Sequence, residues 1–183
     1  MNYCVRLLIK AVSLTVLLSL EANSLAEEKL IRKAPVSAAG FEYRYIEKPR
    51  MHFNDCVVAA CIQGSRVSYI FYSPNDRLSF SEFKSRQKSV VDLLNKRAVK
   101  GKRVEFGEVN SSSNELYKIY TSYRYSYQKN GKILVTLSTM VFTKVNTISL
   151  ISSSYDKQTT EANWALFLSK LLILSGAKRV KKT

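Results

Sequence analysis

The sequence predicts an α+β fold, one antiparallel sheet of about five to six strands packed with two amphipathic helices. Three observations predict it. Residues 115–128 alternate with period two, as a half-buried strand does, and Asn130-Gly131 follows as a hairpin turn. From Leu78 onward a helix-start signature leads into apolar residues at helical spacing. Strand-like segments then follow one another through short polar connections up to a final apolar helix, which favours antiparallel neighbours.

The chain begins with Arg6 and Lys10 and no acid, then an apolar run from Ala11 to Leu20. Small residues Ser24 and Ala26 occupy the −3 and −1 positions of a cut before Glu27. This is the pattern of a secretory signal peptide over residues 1–26. The run falls well short of the roughly 20 apolar residues that a membrane span needs. Loss of Arg6, Lys10 and Glu21 leaves a net charge of +14 from the +15 of the whole chain. The expected location is the periplasm, or beyond it as a secreted protein. Residues 27–40 read as a flexible leader, 41–176 as a single α+β domain and 177–183 as a basic tail.

Within the domain, Phe41 to Ile46 alternates and reads as a strand, and Glu47 to Asn54, with Pro49, as a connection. Cys56 to Ile62 is apolar and too short for periodicity to assign as strand or helix. Arg66 to Ser73 is a strand. Ser79 at the N-cap with Glu82 three residues on forms a capping box, and Leu78 can staple onto Phe83. Phe80, Phe83, Val90, Val91, Leu94 and Ala98 then share one helical face. Lys102 to Val109 is a strand and Asn110 to Asn114 a loop. In the alternating stretch, Tyr117, Ile119, Thr121, Tyr123, Tyr125 and Tyr127 share one face. Lys118, Tyr120, Ser122, Arg124, Ser126 and Gln128 share the other. Ile133 to Thr143 and Ile148 to Ser153 are the returning strands. Trp164 to Leu174 is a core helix, too short and too interrupted by Lys170 to anchor the chain, with Gly176 as its terminating residue.

The chemistry-bearing residues are few. Cys56 and Cys61 are the cysteines left after cleavage, and an oxidising compartment favours a disulfide between them. In one extended strand they would lie roughly 17 Å apart, so the bond requires a turn; otherwise they are buried thiols. His52, Asp55 and Cys56 invite a thiol-enzyme reading with Cys56 as nucleophile, but no motif supplies an oxyanion site. The tyrosine face can serve as a stacking platform or as core, and Tyr120 stands out as an exposed candidate among basic neighbours. Lys96, Arg97, Lys100, Lys102 and Arg103 flank one turn, and with Lys118, Tyr120 and Arg124 they form the expected binding surface. So basic a domain is drawn to anionic lipid, acidic polysaccharide or, less readily, nucleic acid. No nucleotide loop, zinc-ligand spacing or hydrolase motif occurs, so no cofactor or metal is expected.

Tyr69-Ile70-Phe71-Tyr72-Ser73-Pro74-Asn75-Asp76, followed by Leu78-Ser79-Phe80-Ser81-Glu82-Phe83, resembles the strand, S-P-x-D, helix passage of the Mog1/PsbP-like α/β sandwich proteins. The order of elements from Val104 to Gly176 is similar as well. The Cys56–Cys61 pair departs from that pattern. The resemblance implies a binding or accessory module, not an enzyme, and transfers no functional residue. The function expected is that of an exported, non-enzymatic protein that engages an envelope or secretion-system partner. Capture of an anionic polymer through the basic rim is the alternative.

Overall fold

The computed structural model describes residues 35–59, 61–98 and 102–177. The expected signal peptide, residues 27–34 of the expected leader, Lys100 and the expected basic tail from 178 lie outside the described residues. The elements are β1 (Phe41–Ile46), β2 (Met51–Cys56), β3 (Arg66–Tyr72), α1 (Phe80–Arg97), β4 (Arg103–Ser113), β5 (Lys118–Tyr127), β6 (Ile133–Phe142), β7 (Thr147–Ser154) and α2 (Lys157–Leu174). The seven strands form one antiparallel sheet in the order β1-β2-β3-β7-β6-β5-β4. After β3 the chain crosses through α1 to the far edge, then meanders back until β7 pairs with β3.

The additional strand is β2. Its sequence, Met-His-Phe-Asn-Asp-Cys, hides its alternation because the residues it buries completely, His52 and Asn54, are polar. The connection is shortened to Glu47–Arg50, with a cis Lys48–Pro49 bond and Arg50 at φ 64°. The apolar run after Cys56 is a loop rather than a strand or helix, and it exposes Val57, Val58 and Ile62. The loop expected from Asn110 onward is strand instead, because β4 absorbs a bulge between Phe106 and Val109 and continues to Ser113. The bulge lets Gly107 lie against the next strand, where a Cβ would sit 2.8 Å from both Tyr123 and Tyr125.

The hairpin between β5 and β6 also differs from expectation. Of the two central residues only Gly131 has positive φ, at 76°. Gly131 N–H donates to Gln128 O and Gln128 N–H to Lys132 O. A longer loop ending in a left-handed glycine thus replaces the two-residue type I′ turn.

The first helix begins as the sequence indicates, whereas α2 begins at Lys157, seven residues before Trp164. Ser79 and Glu82 cap α1 reciprocally, and Asp156 Oδ2 accepts from Thr159 N–H at 2.6 Å to start α2. At the end of α2, Gly176 donates to Ile173 O and Ala177 to Leu172 O, with Gly176 at φ 64°. The two helices lie on opposite faces of the sheet. Phe80 and Phe83 of α1 meet Tyr120, which also meets Phe142. On the other face, Trp164 of α2 donates from Nε1 to Thr139 Oγ1, and Thr160 O accepts from Ser152 Oγ. The main core lies beneath α2, where Val67, Tyr69, Val141, Ile148, Leu150, Phe167 and Leu171 are buried.

Candidate functional site

Neither helix spans the sheet. The first, α1, packs on β4 and β5; α2 packs on β7, β6 and β3. Among the described residues, no helix covers the α1-side face of β7 and β3, and α1 reaches β6 only where Met140 and Phe142 join the Phe83–Tyr120 cluster. The cross-strand register defines that face row by row. One row runs Phe106, Arg124, Thr136, Ser153, Arg66, Asp55. The next runs Ser122, Ser138, Ile151, Ser68, Phe53. The third runs Tyr120, Met140, Ser149, Ile70. The floor is therefore small hydroxyl residues interrupted by half-buried Ile70, Ile151 and Met140.

The wall of this trough is one flank of α1. Asn95 clamps the other flank to the edge strand: its amide donates to Val104 O and accepts from Val104 N–H, both at 2.8 Å. Arg86, Val90, Leu93 and Arg97 recur at helical spacing on the opposite flank and so face β6. Arg86 and Gln87 indeed line a cavity of about 500 Å³ with Tyr72, Asp76 and Met140, at the end of the trough near the start of α1. Val90, Leu93 and Leu94 stay 38%, 46% and 38% exposed. The single apolar face expected for α1 is thus only half used, since Phe83 and Val91 alone are buried.

The far wall is self-contained. Arg44 and Arg66 both stack on the Phe53 ring, at 4.7 and 5.8 Å. Both bind Asp55, at 3.1 and 2.5 Å. Arg124 has no such partner. Its Nε lies buried without a hydrogen bond, and among the described residues no acid pairs with it. Burial holds its guanidinium below the ordinary arginine value.

The expected binding surface does not assemble as one patch. Lys96 and Arg97 end α1, close to Lys102 and Arg103 through the Asn95 clamp. Lys118 pairs with Ser113, nine residues along β5 from the Tyr127 that faces Arg103, so it lies at the other end of the sheet, roughly 30 Å away. Arg103 turns to the α2 side, where it pairs with Glu105 and stacks on Tyr127. Tyr120 is a correction: it is 2% exposed, held beneath α1 by Phe80 and Phe83. Its strand face carries polar neighbours because α1 covers only part of that face, so the pattern that marked it as exposed marks core instead. Lys118 caps its ring at 5.0 Å.

The tyrosine face lies on the α2 side, beyond the edge of that helix. Tyr123 and Tyr125 stack at 6.3 Å and are half buried. Their polar ends are satisfied locally: Tyr123 Oη donates to Glu161 at 2.5 Å and Tyr127 Oη to Glu105 at 2.8 Å. Burial and Glu161 both push the Tyr123 hydroxyl upward. Between this face and α2, Trp164 and Ala165 border two adjoining grooves of about 490 and 610 Å³.

Cys56 and Cys61 form a disulfide, with Cα atoms 5.8 Å apart across the turn that follows β2. Cys56 therefore offers no thiol. His52 is fully buried, stacked on Tyr69 at 4.4 Å with Nδ1 2.9 Å from Tyr43 Oη. The His52–Cys56 nucleophile is excluded in this structure. Among the described residues, no group of three or more His, Cys, Asp or Glu could hold a metal ion, and no helix is long and apolar enough to cross a membrane.

Three solved structures resemble this seven-stranded sheet with a helix on each face. The chain is similar in structure to cyanobacterial PsbP (CyanoP) from Synechocystis, with 11% identity and a TM-score of 0.45 over 74% of this chain and 94% of that one. It is similar to the Ran-binding protein Mog1p of Saccharomyces cerevisiae, with 11% identity and a TM-score of 0.39 over 76% and 85%. A protein of unknown function from Pseudomonas aeruginosa shares 4% identity at a TM-score of 0.42 over 79% and 99%. No protein-family model and no curated protein matches the sequence. These likenesses concern the fold alone.

Proposed function

We propose that this chain is an exported, non-enzymatic binding protein of the bacterial envelope that engages another envelope or secretion-system protein. Export is supported by the leader pattern of residues 1–26 and by a disulfide suited to an oxidising compartment. The observation that carries the binding reading is the α1-side sheet face. A helix layer that reaches β6 only at Met140 and Phe142 leaves most of the face of three central strands, an apolar helix flank and the unpaired Arg124 open to a partner. The basic rim, divided between two ends and two faces, is the weaker surface.

Affinity capture from the envelope fraction tests this reading. The mature protein, beginning at Glu27, is expected to retain a protein partner through a wash at moderate salt. Loss of all binding between low and moderate salt would instead favour an anionic polymer held by counterion release. Recovery of the uncleaved chain from the cytoplasm would overturn the export reading.

A further inference from the structure

We infer that the α1-side trough receives one amphipathic helix of a partner protein, laid beside α1, whose otherwise apolar face presents a single Asp or Glu to Arg124. The inference rests on the binding-module reading above and names the partner's chemistry.

Size is the first argument. The strands β6, β7 and β3 span about 14 Å at ordinary strand spacing. That matches the 10–12 Å or so of one helix with its side chains. Between the rows of Met140 and Thr136 and the half-buried Leu134 beyond, the floor runs roughly 20 Å, enough for three to four helical turns. A helix there would complete the layer that α1 begins, at the same height above the sheet. The small residues Ser68, Ser138 and Thr136 in the floor permit close approach, whereas larger side chains would hold a helix away.

Surface chemistry is the second. The wall presents Val90, Leu93 and Leu94, and the floor presents half-buried Ile70 and Ile151, with Met140 at its α1 edge packed against the Phe83–Tyr120 cluster. An occupant must therefore be largely apolar on its inner face. Charge complementarity is the third argument, and it is specific. Asp55, the acid in the same cross-strand row as Arg124, is held by both Arg44 and Arg66. Arg124 stands apart with no acceptor, beside Thr136 and in register with it. A guanidinium in this setting takes a carboxylate through two parallel N–H···O bonds, and the hydroxyl of Thr136 can donate a third. Arg86 and Arg97 on the α1 flank add positive charge along the path of approach. The described residues that precede β1 lie elsewhere: Val36 N–H donates to Tyr69 Oη at 2.6 Å and Ser37 O accepts from Lys170 Nζ at 2.6 Å, both on the α2 side.

The test uses synthetic 16-residue amphipathic helical peptides that differ at one position of the apolar face, which is Glu, Gln, Leu or Lys. Binding to the mature protein is read by fluorescence anisotropy. The Glu peptide is expected to bind about tenfold more tightly than the Gln peptide. The substitution Arg124→Met should erase that difference, and Arg103→Met, an equal loss of charge on the opposite face, should leave it intact. Equal binding of Glu and Gln peptides, or a preference that survives Arg124→Met, would overturn the inference. So would a free-state dimer that Arg124→Met dissociates, which would make the occupant a second copy. Binding to phosphatidylglycerol vesicles that the two arginine substitutions weaken alike, with no peptide bound, would assign the surface to membranes. If no peptide binds while an envelope protein is still captured, the trough assignment fails and the binding-module reading stands.

Discussion

Replacing Arg124 by Met should make the free protein more stable. In the structure the Nε–H is buried with no acceptor, and burial already disfavours the charge. An unsatisfied buried donor costs about 1–3 kcal/mol. The outer guanidinium nitrogens remain partly solvated, so the lower end applies, and the expected gain is about 1 kcal/mol. Methionine keeps an unbranched stem of similar reach, which preserves packing against the strand. For a domain of this size the gain corresponds to roughly 3 °C in Tm. Urea unfolding followed through Trp164, the single tryptophan, measures it directly. A loss of stability of about 1 kcal/mol or more would refute the reasoning, since it would mean that Arg124 makes favourable interactions within the free fold. Stability gained together with partner binding lost is the signature of a residue retained for function at a cost to the fold.

Three further outcomes follow from the geometry. The double substitution of Cys56 and Cys61 by Ser should cost about 2 kcal/mol or less in the same unfolding assay, because so small a loop constrains the unfolded chain little; a larger loss would mean the bond sets the fold of β2. Gly107→Ala should destabilise by about 1–3 kcal/mol, because the added methyl meets Tyr123 and Tyr125 in a bulge that cannot widen freely; a neutral result would show that the tyrosine pair moves aside. Stability should also fall in acid. Glu82 is held below its ordinary value of 4.5 by hydrogen bonds from Ser79, and Asp156 below 3.8 by those from Thr159. Depressed carboxylates contribute stability above their unfolded values and lose it as pH drops through the folded ones. Unfolding midpoints between pH 5 and pH 2 should therefore decline less in the Glu82→Gln, Asp156→Asn double variant than in the parent, and an unchanged slope would contradict the capping roles.

What the residues disclosed in advance follows physical lines. Local devices were legible: the Ser79–Glu82 box and the Gly176 terminus each depend on a few neighbouring residues. The alternation of 117–128 identified a strand, yet it could not say which face was core, because each face of that strand has cover and exposure at different places. Tyr120 was misplaced for that reason. The strand β2 was hidden because burial there falls on His52 and Asn54, and burial of polar residues leaves no hydrophobic period. The turn at Asn130-Gly131 depended on the φ of Asn130, which the dipeptide alone does not determine. The trough was invisible for a deeper reason. It arises from how far each helix reaches across the sheet, a property of packing, and the sequence signs of α1 were the same whether its flank met a neighbour or solvent. Only Arg124 was already marked, and it was marked for its charge, not for its isolation.

The central claim is that the α1-side face, and not the basic rim, is the docking surface. A photo-reactive residue placed at Ile151 in the trough, at Ser89 on the outer side of α1, and at Lys129 in the β5–β6 turn tests it most directly. Irradiation of intact cells should give a single discrete protein adduct from the Ile151 position, lost on Arg124→Met, and none from the other two. Equal labelling from all three positions, or an adduct from Lys129 with none from Ile151, would contradict the account.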